Sequence, residues 1–481
     1  MVLPQRQPTK AVASYSLLGG RRLRCSAFSS LAASRKPSPT MLERCLQSPT
    51  TTARPMVQGQ SWLPASTIPP ARNASSLPSS ELMKTPFYDM HVAAGAKMGE
   101  FAGFSMSLDY PEQSHSQSHH WTRNSASLFD VSHMVQHRLQ GSLAQEFLMT
   151  VTPSSLDRLR PYSSQLSVLL NDGGGIVDDT VITALGPEDF YFVTNAGCRN
   201  TDLAFLSQSM SAFLESKRAS HDHLRWEIWN HHALLALQGP HAQKALQPLI
   251  STNSTDADLS TLYFGNCRWL RLTMDPSLPC LVSRTGYTGE DGFEISIPPG
   301  DGADTRLARS LAEQLLGDGA TVRWAGLATR DSLRLEAGMC LYGHDIDATV
   351  TPPMGGLGWV VGKDRRAPDA TPAFNGRQRI VEQLQTPSTM SRRRVGLLLG
   401  PGPPAREGAE IVDLDKDYQG VGRVTSGCPS PTLGGRNIAM GWIGKGYHKT
   451  GTKIGVKVRS KIIPGEVVKM PFVKNKFYRG P

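Results

Sequence analysis

The chain lacks the short signatures that announce the common catalytic engines. It has no G-x-G-x-x-G following a strand-like run, no phosphate-binding P-loop, no G-x-S-x-G elbow and no H-E-x-x-H pair. Dinucleotide binding, nucleoside-triphosphate chemistry, serine hydrolysis and zinc proteolysis therefore have no handle in it. Its seven cysteines, at 25, 45, 198, 267, 280, 340 and 428, include no C-x-x-C pair. A zinc knuckle or redox dithiol is not indicated. An odd, scattered count suits reduced thiols that serve as small core residues. No apolar run approaches the length of a membrane span. Acid is the other absence: residues 1–80 contain ten Lys or Arg and one acidic residue, Glu43.

That deficit explains most of the net charge of +10, because it leaves 41 basic and 40 acidic residues in 81–481. The body of the protein is close to neutral, which argues against a nucleic-acid partner. Residues 1–80 are rich in Ser, Pro, Ala and Arg, with Arg21, Arg22, Arg24, Arg35 and Lys36 among small and apolar neighbours. This is the composition of a mitochondrial transit peptide, with an unspecialised low-complexity tail as the plainer alternative.

From about residue 84 the pattern becomes that of a folded α+β protein. Residues 284–297 hold Gly286, Gly289 and Gly292, then switch to strict alternation: Phe293, Ile295 and Ile297 against Glu294 and Ser296. A tight turn feeding a strand is expected, with the Glu294 carboxylate just past the turn. The plainest reading of it is a surface hairpin. Earlier, Ser164–Leu170 and Ile176 onward flank Asn171-Asp-Gly-Gly-Gly and read as paired strands. Strand alternation puts Val177, Asp179 and Val181 on one face and Asp178 on the other. A carboxylate between two valines is salt-bridged, functional, or a sign of a misread register. Trp226–Leu237 reads as one apolar strand, and Trp324–Gly338 as a helix on which Arg330, Arg334 and Glu336 form a solvated charged face. His115, His119 and His120 fall in a Ser- and Gln-rich stretch that reads as a surface helix. Residues 363–391 are polar and Pro-rich, a connection between domains, and 392–479 are short strands broken by glycines, as in a small β-barrel.

What remains for chemistry is a set of isolated carboxylates (Asp179, Glu294), arginines (Arg330, Arg394) and aromatics (Tyr287, Trp359) on loops and strand ends. Such a set suits a neutral heteroaromatic ligand with an anionic tail: carboxylates for its N–H donors, arginines for the tail. Eight segments then stand in a fixed order: Phe129-Asp-Val-Ser-His-Met134, Gly174-Gly-Ile-Val-Asp-Asp179, Asn195-Ala-Gly, Ala236-Leu-Gln-Gly-Pro240, Gly286-Tyr-Thr-Gly-Glu-Asp-Gly-Phe-Glu294, Arg330-Asp-Ser-Leu-Arg-Leu-Glu-Ala-Gly338, Arg392-Arg-Arg-Val-Gly396 and Thr425-Ser-Gly-Cys-Pro-Ser-Pro431. In this register the chain, from about 84 to 479, resembles the aminomethyltransferases (T-proteins) of the glycine cleavage system.

The resemblance implies a three-domain cloverleaf around a central folate channel. Two mixed α+β, ferredoxin-like subdomains would occupy 84–362, and a β-barrel 392–479. It implies transfer of a methylene from the S-aminomethyl-lipoyl arm of a carrier, the H-protein, to tetrahydrofolate as co-substrate, in the mitochondrial matrix. It implies no metal and no flavin, and only loose association with other glycine cleavage components. Asp179 matches the family's catalytic aspartate, Glu294 the glutamate that grips the pterin edge, and Arg330 a folate-binding arginine. Met134, Asn195 and Tyr287 fall in the matching motifs as ligand contacts, and Arg394 matches an arginine whose role is binding or structural. One position departs: where animal enzymes carry two adjacent tyrosines near the C-terminus, this chain has Phe477 and Tyr478, so a hydroxyl contact at the first is lost and Tyr478 stands in its place. Two other classes share the fold. A folate-dependent demethylating oxidase would need an FAD domain, and 1–283 hold no such fingerprint. A folate-binding accessory protein for RNA modification or iron–sulfur maturation would be expected to lack the intact Asp-Asp strand and Arg-Asp-Ser-Leu-Arg helix.

Overall fold

The computed structural model describes residues 82–481; the targeting segment read in 1–80, with Cys25 and Cys45, lies outside the described residues. The fold is mixed α+β, with two large antiparallel-dominated sheets, a two-stranded one of Lys97–Phe101 and Phe104–Asp109, and a closed barrel. The first sheet has five strands in the spatial order Ser163–Leu170, Ile176–Gly186, Asp189–Thr194, Val135–Gln140 and Arg225–Ile228, all antiparallel. One face packs on the helices Ala144–Val151 and Arg199–Lys217 through Leu139, Phe147, Ile182, Phe192, Leu206 and Phe213. The other face is left for the cavity described below.

The second sheet has six strands in the order Cys267–Arg271, Pro279–Ser283, Gly292–Ile297, Ala233–Gln238, Ala126–Asp130 and Val322–Trp324, the last pair parallel. The alternation of the opening turn-and-strand is obeyed: Phe293, Ile295 and Ile297 are fully buried in the core of this sheet. The strand is thus interior, flanked on both sides, and not a surface hairpin. The helix Arg306–Leu316 covers that core with Leu307, Ala308, Leu311, Ala312 and Leu315, an apolar stripe at helical spacing. Each fully buried leucine contributes about 1.5–3 kcal/mol, so the stripe accounts for the docking of this helix. The tightness of the turn has a visible cause. A Cβ at Gly286 would lie 1.9 Å from the buried Gln238 side chain, and Gly289 has φ +77, a conformation that favours glycine.

The barrel closes through Arg392–Leu399, Arg436–Gly444, Gly420–Ser430, Glu410–Val412, Lys453–Val458 and Lys461–Val468. Its interior is Leu397, Ile411, Val424, Ala439, Ile443 and Ile454. The stretch 363–391 carries a helix, Arg377–Gln385, whose Ile380 is fully buried against Val168, Leu170 and Phe374. No helix among the described residues is long and apolar enough to cross a membrane.

Several local expectations are corrected. Trp226–Leu237 is two strands in two different sheets, separated by the turn at Asn230. The Trp324–Gly338 segment is a strand end followed by the helix Leu327–Glu336. The face carrying Arg334 and Glu336 is buried, not solvated, because both side chains are satisfied by partners far away in sequence. His119 is likewise fully buried, and the helix it sits on, His115–Asn124, opens with a capping box between Ser114 and Gln117. The five cysteines that can be described are all buried free thiols.

Candidate active site

A cavity of about 1320 Å³ lies between the free face of the five-stranded sheet, the Glu294 edge of the six-stranded sheet, the helix Leu327–Glu336 and the first barrel strand. This exceeds the roughly 300–1,000 Å³ of most small-ligand pockets, which leaves room for a second, narrower guest. Asp179, Asn195, Met134, Tyr287, Glu294 and Arg330 all line it, and Arg394 reaches its floor. Residues spread over some 260 positions of sequence are therefore brought to one chamber.

Asp179 enters the chamber on the same strand face as Val181 and Thr183, and a bulge just before it turns Val177 away. Leu170 pairs with Ile176 but Leu169 pairs with Asp178, so Val177 is the extra residue. Val177 joins the helix-side core with Ile182 and Ala184, while Asp179, Val181 and Thr183 line the cavity. Strict alternation had put Val177 beside Asp179; the bulge removes it. Asp179 makes no ion pair with any described residue. Its Oδ1 accepts the side-chain amide of Asn195 at 3.0 Å. Burial, and secondarily the charge of Asp178, push its acid up to about 7, against a smaller pull from the Asn195 amide. Asn195 is itself clamped: Asp178 accepts its backbone N–H at 2.7 Å and its side-chain amide at 2.8 Å.

On the opposite wall, Glu294 projects from the central strand with Ser296 beside it. One of its oxygens accepts the Thr285 hydroxyl at 2.5 Å, fixing the carboxylate at the cavity edge. Arg330, on the first turns of its helix, lies over the Tyr287 ring at 4.8 Å. Burial holds its pKa below the ordinary value, while the Glu294 charge works in the opposite sense. One of its terminal N–H groups is buried without a hydrogen-bond partner. An unpaired buried guanidinium N–H is costly and calls for an acceptor supplied by a ligand. The Tyr287 hydroxyl donates to the Cys340 carbonyl, so this ring is a fixed wall.

Arg394 is spoken for. Its Nε donates to Gly355 O at 2.7 Å and an Nη lies 2.8 Å from the Met440 sulfur, so it ties the 352–358 loop to the barrel. Tyr478 is turned away from the cavity. Its hydroxyl donates to Ser260 O at 3.1 Å and Arg284 lies 4.1 Å over its ring. Phe477 takes the lining position instead, stacked on Phe264 with centroids 4.0 Å apart. Among the described residues one group of side chains has the spacing to hold a metal ion: Asp178, Cys198 and Asp202, behind the cavity wall. Sequence reading missed Asp202 because an acidic residue in the first turn of a helix is ordinary. Only the pairing of Asp178 with that helix reveals it.

Comparison with known proteins gives a consistent result. Residues 87–365 match the GCVT N-terminal domain and residues 392–474 the glycine cleavage T-protein C-terminal barrel domain. The chain is 44% identical over 410 residues to the probable mitochondrial aminomethyltransferase of Schizosaccharomyces pombe, covering 85% of this chain and 97% of that one. It is 46% identical over 404 residues to the mitochondrial aminomethyltransferase of Saccharomyces cerevisiae, covering 83% and 97%. The crystal structure of the glycine cleavage system aminomethyltransferase T from Bartonella henselae superposes with a TM-score of 0.71 at 37% identity, over 83% of this chain and all of that one.

Proposed function

The chain belongs to the glycine cleavage T-protein family, and from that premise we propose that it is the mitochondrial aminomethyltransferase of the glycine cleavage system, working in the matrix. Its reaction moves the methylene of an S-aminomethyl-lipoyl carrier protein, the H-protein, onto tetrahydrofolate. The carbon–sulfur bond and the bond to the amino nitrogen break, and two bonds form to N5 and N10 of the folate. The two protons those nitrogens lose go to the departing ammonia and the carrier thiol.

The observation that carries this reading is the pairing, across one chamber, of a carboxyl group poised near neutrality with a half-buried Glu294 and a guanidinium that has an unpaired N–H. Glu294, held by Thr285, accepts N–H donors along the pterin edge. Arg330 supplies its free N–H to an acceptor on the folate, backed by the Tyr287 ring. Asp179 stabilises positive charge as it develops at the transferred carbon. It does so as a preorganised group, held by Asn195. Met134 and Phe477 contribute apolar wall, and the breadth of the cavity leaves a path for the lipoyl arm. Tyr478 and Arg394 act by holding the frame, on the contacts they make. The chemistry assigned to these side chains uses no metal and no flavin.

The test is turnover. Full-length protein supplied with aminomethylated lipoyl carrier and tetrahydrofolate is expected to yield ammonia and 5,10-methylenetetrahydrofolate in equal amounts. Absence of both products with an authentic carrier overturns the reading.

A further inference from the structure

Behind the cavity wall, Asp178 and Asp202 are both fully buried, and their carboxylate oxygens lie with the Cys198 sulfur within 4.8 Å of one another. Asp202 comes from the first turn of the Arg199–Lys217 helix, Asp178 from the bulged strand. No N–H group and no cation among the described residues reaches the oxygens of Asp202; the donor beside it is the Thr194 hydroxyl. The groups around the pair offer no cation. Cys198 and Tyr342 are thiol and phenol held neutral by burial, and Asp179 is a further acid. His137, reached through the Thr194 hydroxyl, is pushed down to about 3 by burial and is neutral. Arg199, three residues before Asp202 on the same helix, donates instead to Asn230 at 2.6 Å. Two adjacent buried carboxyl groups with no cation cannot both ionise, and one of them must keep its proton. Asp178 is the one already accepting two N–H bonds from Asn195, which favour its charged form.

We propose that Asp202 retains its proton at working pH and donates it to Asp178, so that the pair carries one charge and serves as a positioning unit that locks Asn195 and, through it, Asp179. Asp202 is pushed up to about 9 by burial and then by the Asp178 charge, in the same sense as the geometry. The arrangement uses the proton as an internal donor. It keeps Asp178 charged, keeps the Asn195 amide turned toward Asp179, and spares Asp179 a second negative neighbour that would protonate it at neutral pH. The functional half of this inference rests on the assignment of Asp179 as the acting carboxylate; the protonation state of the pair does not.

Infrared spectroscopy on full-length protein at pH 8 reads the pair directly. A buried carboxylic-acid C=O band is expected in the wild type and in Asp179→Asn, and is expected to disappear in Asp202→Asn. If the wild type shows no such band, or Asp202→Asn retains it, the proposal is overturned. Metal analysis of the same preparations separates the rival occupant: a stoichiometric divalent ion lost in Asp202→Asn would overturn it as well. The pH–rate profile then tests the coupling to the site. Because an amide mimics the neutral acid, Asp202→Asn is expected to leave the acidic limb in place. Asp178→Asn, which removes the charge beside Asp179, is expected to move it acidward by about one pH unit. An acidward shift of that size in Asp202→Asn would mean that Asp202 is ionised, and would overturn the proposal. Were Asp179→Asn to keep full turnover, the role of Asp179 would fall while the infrared result still decided the pair.

Discussion

The protein buries two groups of carboxylates and treats them in opposite ways. At the junction of the Leu327–Glu336 helix with the barrel, Glu336 accepts Arg123 at 2.8 Å, His119 at 3.1 Å, the Ser430 hydroxyl at 2.5 Å and the Thr432 hydroxyl at 2.7 Å. Arg123 also meets Glu290 at 3.0 Å, and two residues earlier on the helix Arg334 meets Asp345 at 2.7 Å. Every charge there has a partner. The hydrogen bonds and charges outweigh burial and hold Glu336 down to about 2. Around the cavity, Asp178 and Asp202 are buried as deeply and Asp179 is partly buried; none of the three has a cation among the described residues, and all are pushed upward. Compensation is what separates a buried carboxylate that fastens a structure from one that stores free energy for chemistry.

The sharpest way to break this contrast is to remove a partner from the compensated side. Glu336→Ala leaves Arg123 with Glu290 and the Thr288 carbonyl and strips five donor groups of their acceptor. A loss of about 3–5 kcal/mol is expected, read as a lower denaturation midpoint in urea. A loss below about 1 kcal/mol would mean that the junction is held by apolar contacts and not by this network.

On the uncompensated side the expected loss is in turnover. Asp179→Asn keeps the shape and the bond to Asn195 but removes the charge. It should cost on the order of 10²–10³-fold in kcat, with folate affinity by calorimetry within a few-fold of wild type. Unaltered turnover would remove Asp179 from the mechanism. Glu294→Ala has the complementary signature. Losing a charged acceptor for pterin N–H groups should weaken folate binding by about 10–100-fold, and unchanged affinity would refute its grip.

How much of this contrast was legible beforehand follows from its physics. The carboxylates proposed to act singly stood out locally: by alternation Asp179 falls between two valines on an apolar face, and Glu294 just past a glycine-rich turn in an alternating strand. Individual strands and the barrel-like C-terminal stretch followed from period-2 runs and glycine spacing, which are local signals, while the division of the rest into two α+β subdomains came from the family resemblance. The compensated network was invisible because its bonds join residues up to 313 positions apart, as between His119 and Thr432. Arg330, Arg334 and Glu336, recurring near helical spacing, read as a solvated face for that reason. The Val177 bulge escaped too. A single extra residue leaves composition unchanged and shifts only the register, so alternation put Val177 on the wrong face. Tyr478 was placed by analogy with a neighbouring position, and the backbone turns it toward Ser260 while Phe477 faces the ligand space.

The smallest expected effect tests the contrast by its sign. Glu336 has a folded-state pKa below its unfolded value, so its contribution is present above about pH 4.5 and fades as pH falls toward about 2. Asp179 has a folded-state pKa above its unfolded value, so between about pH 4 and 7 the native state binds more protons than the unfolded chain. Stability attributable to it therefore declines as pH rises through that window. Asp179→Asn abolishes this cost. Its melting temperature is expected to match wild type near pH 4 and to exceed it by a few degrees at pH 8, where the wild-type carboxylate is ionised without a counter-charge. The acidic limb of wild-type activity should fall near pH 7 for the same reason, since the ionised form that destabilises the fold is the form that acts. A melting difference that stays constant from pH 4 to 8 would show that Asp179 is compensated after all, and would erase the distinction between the two clusters.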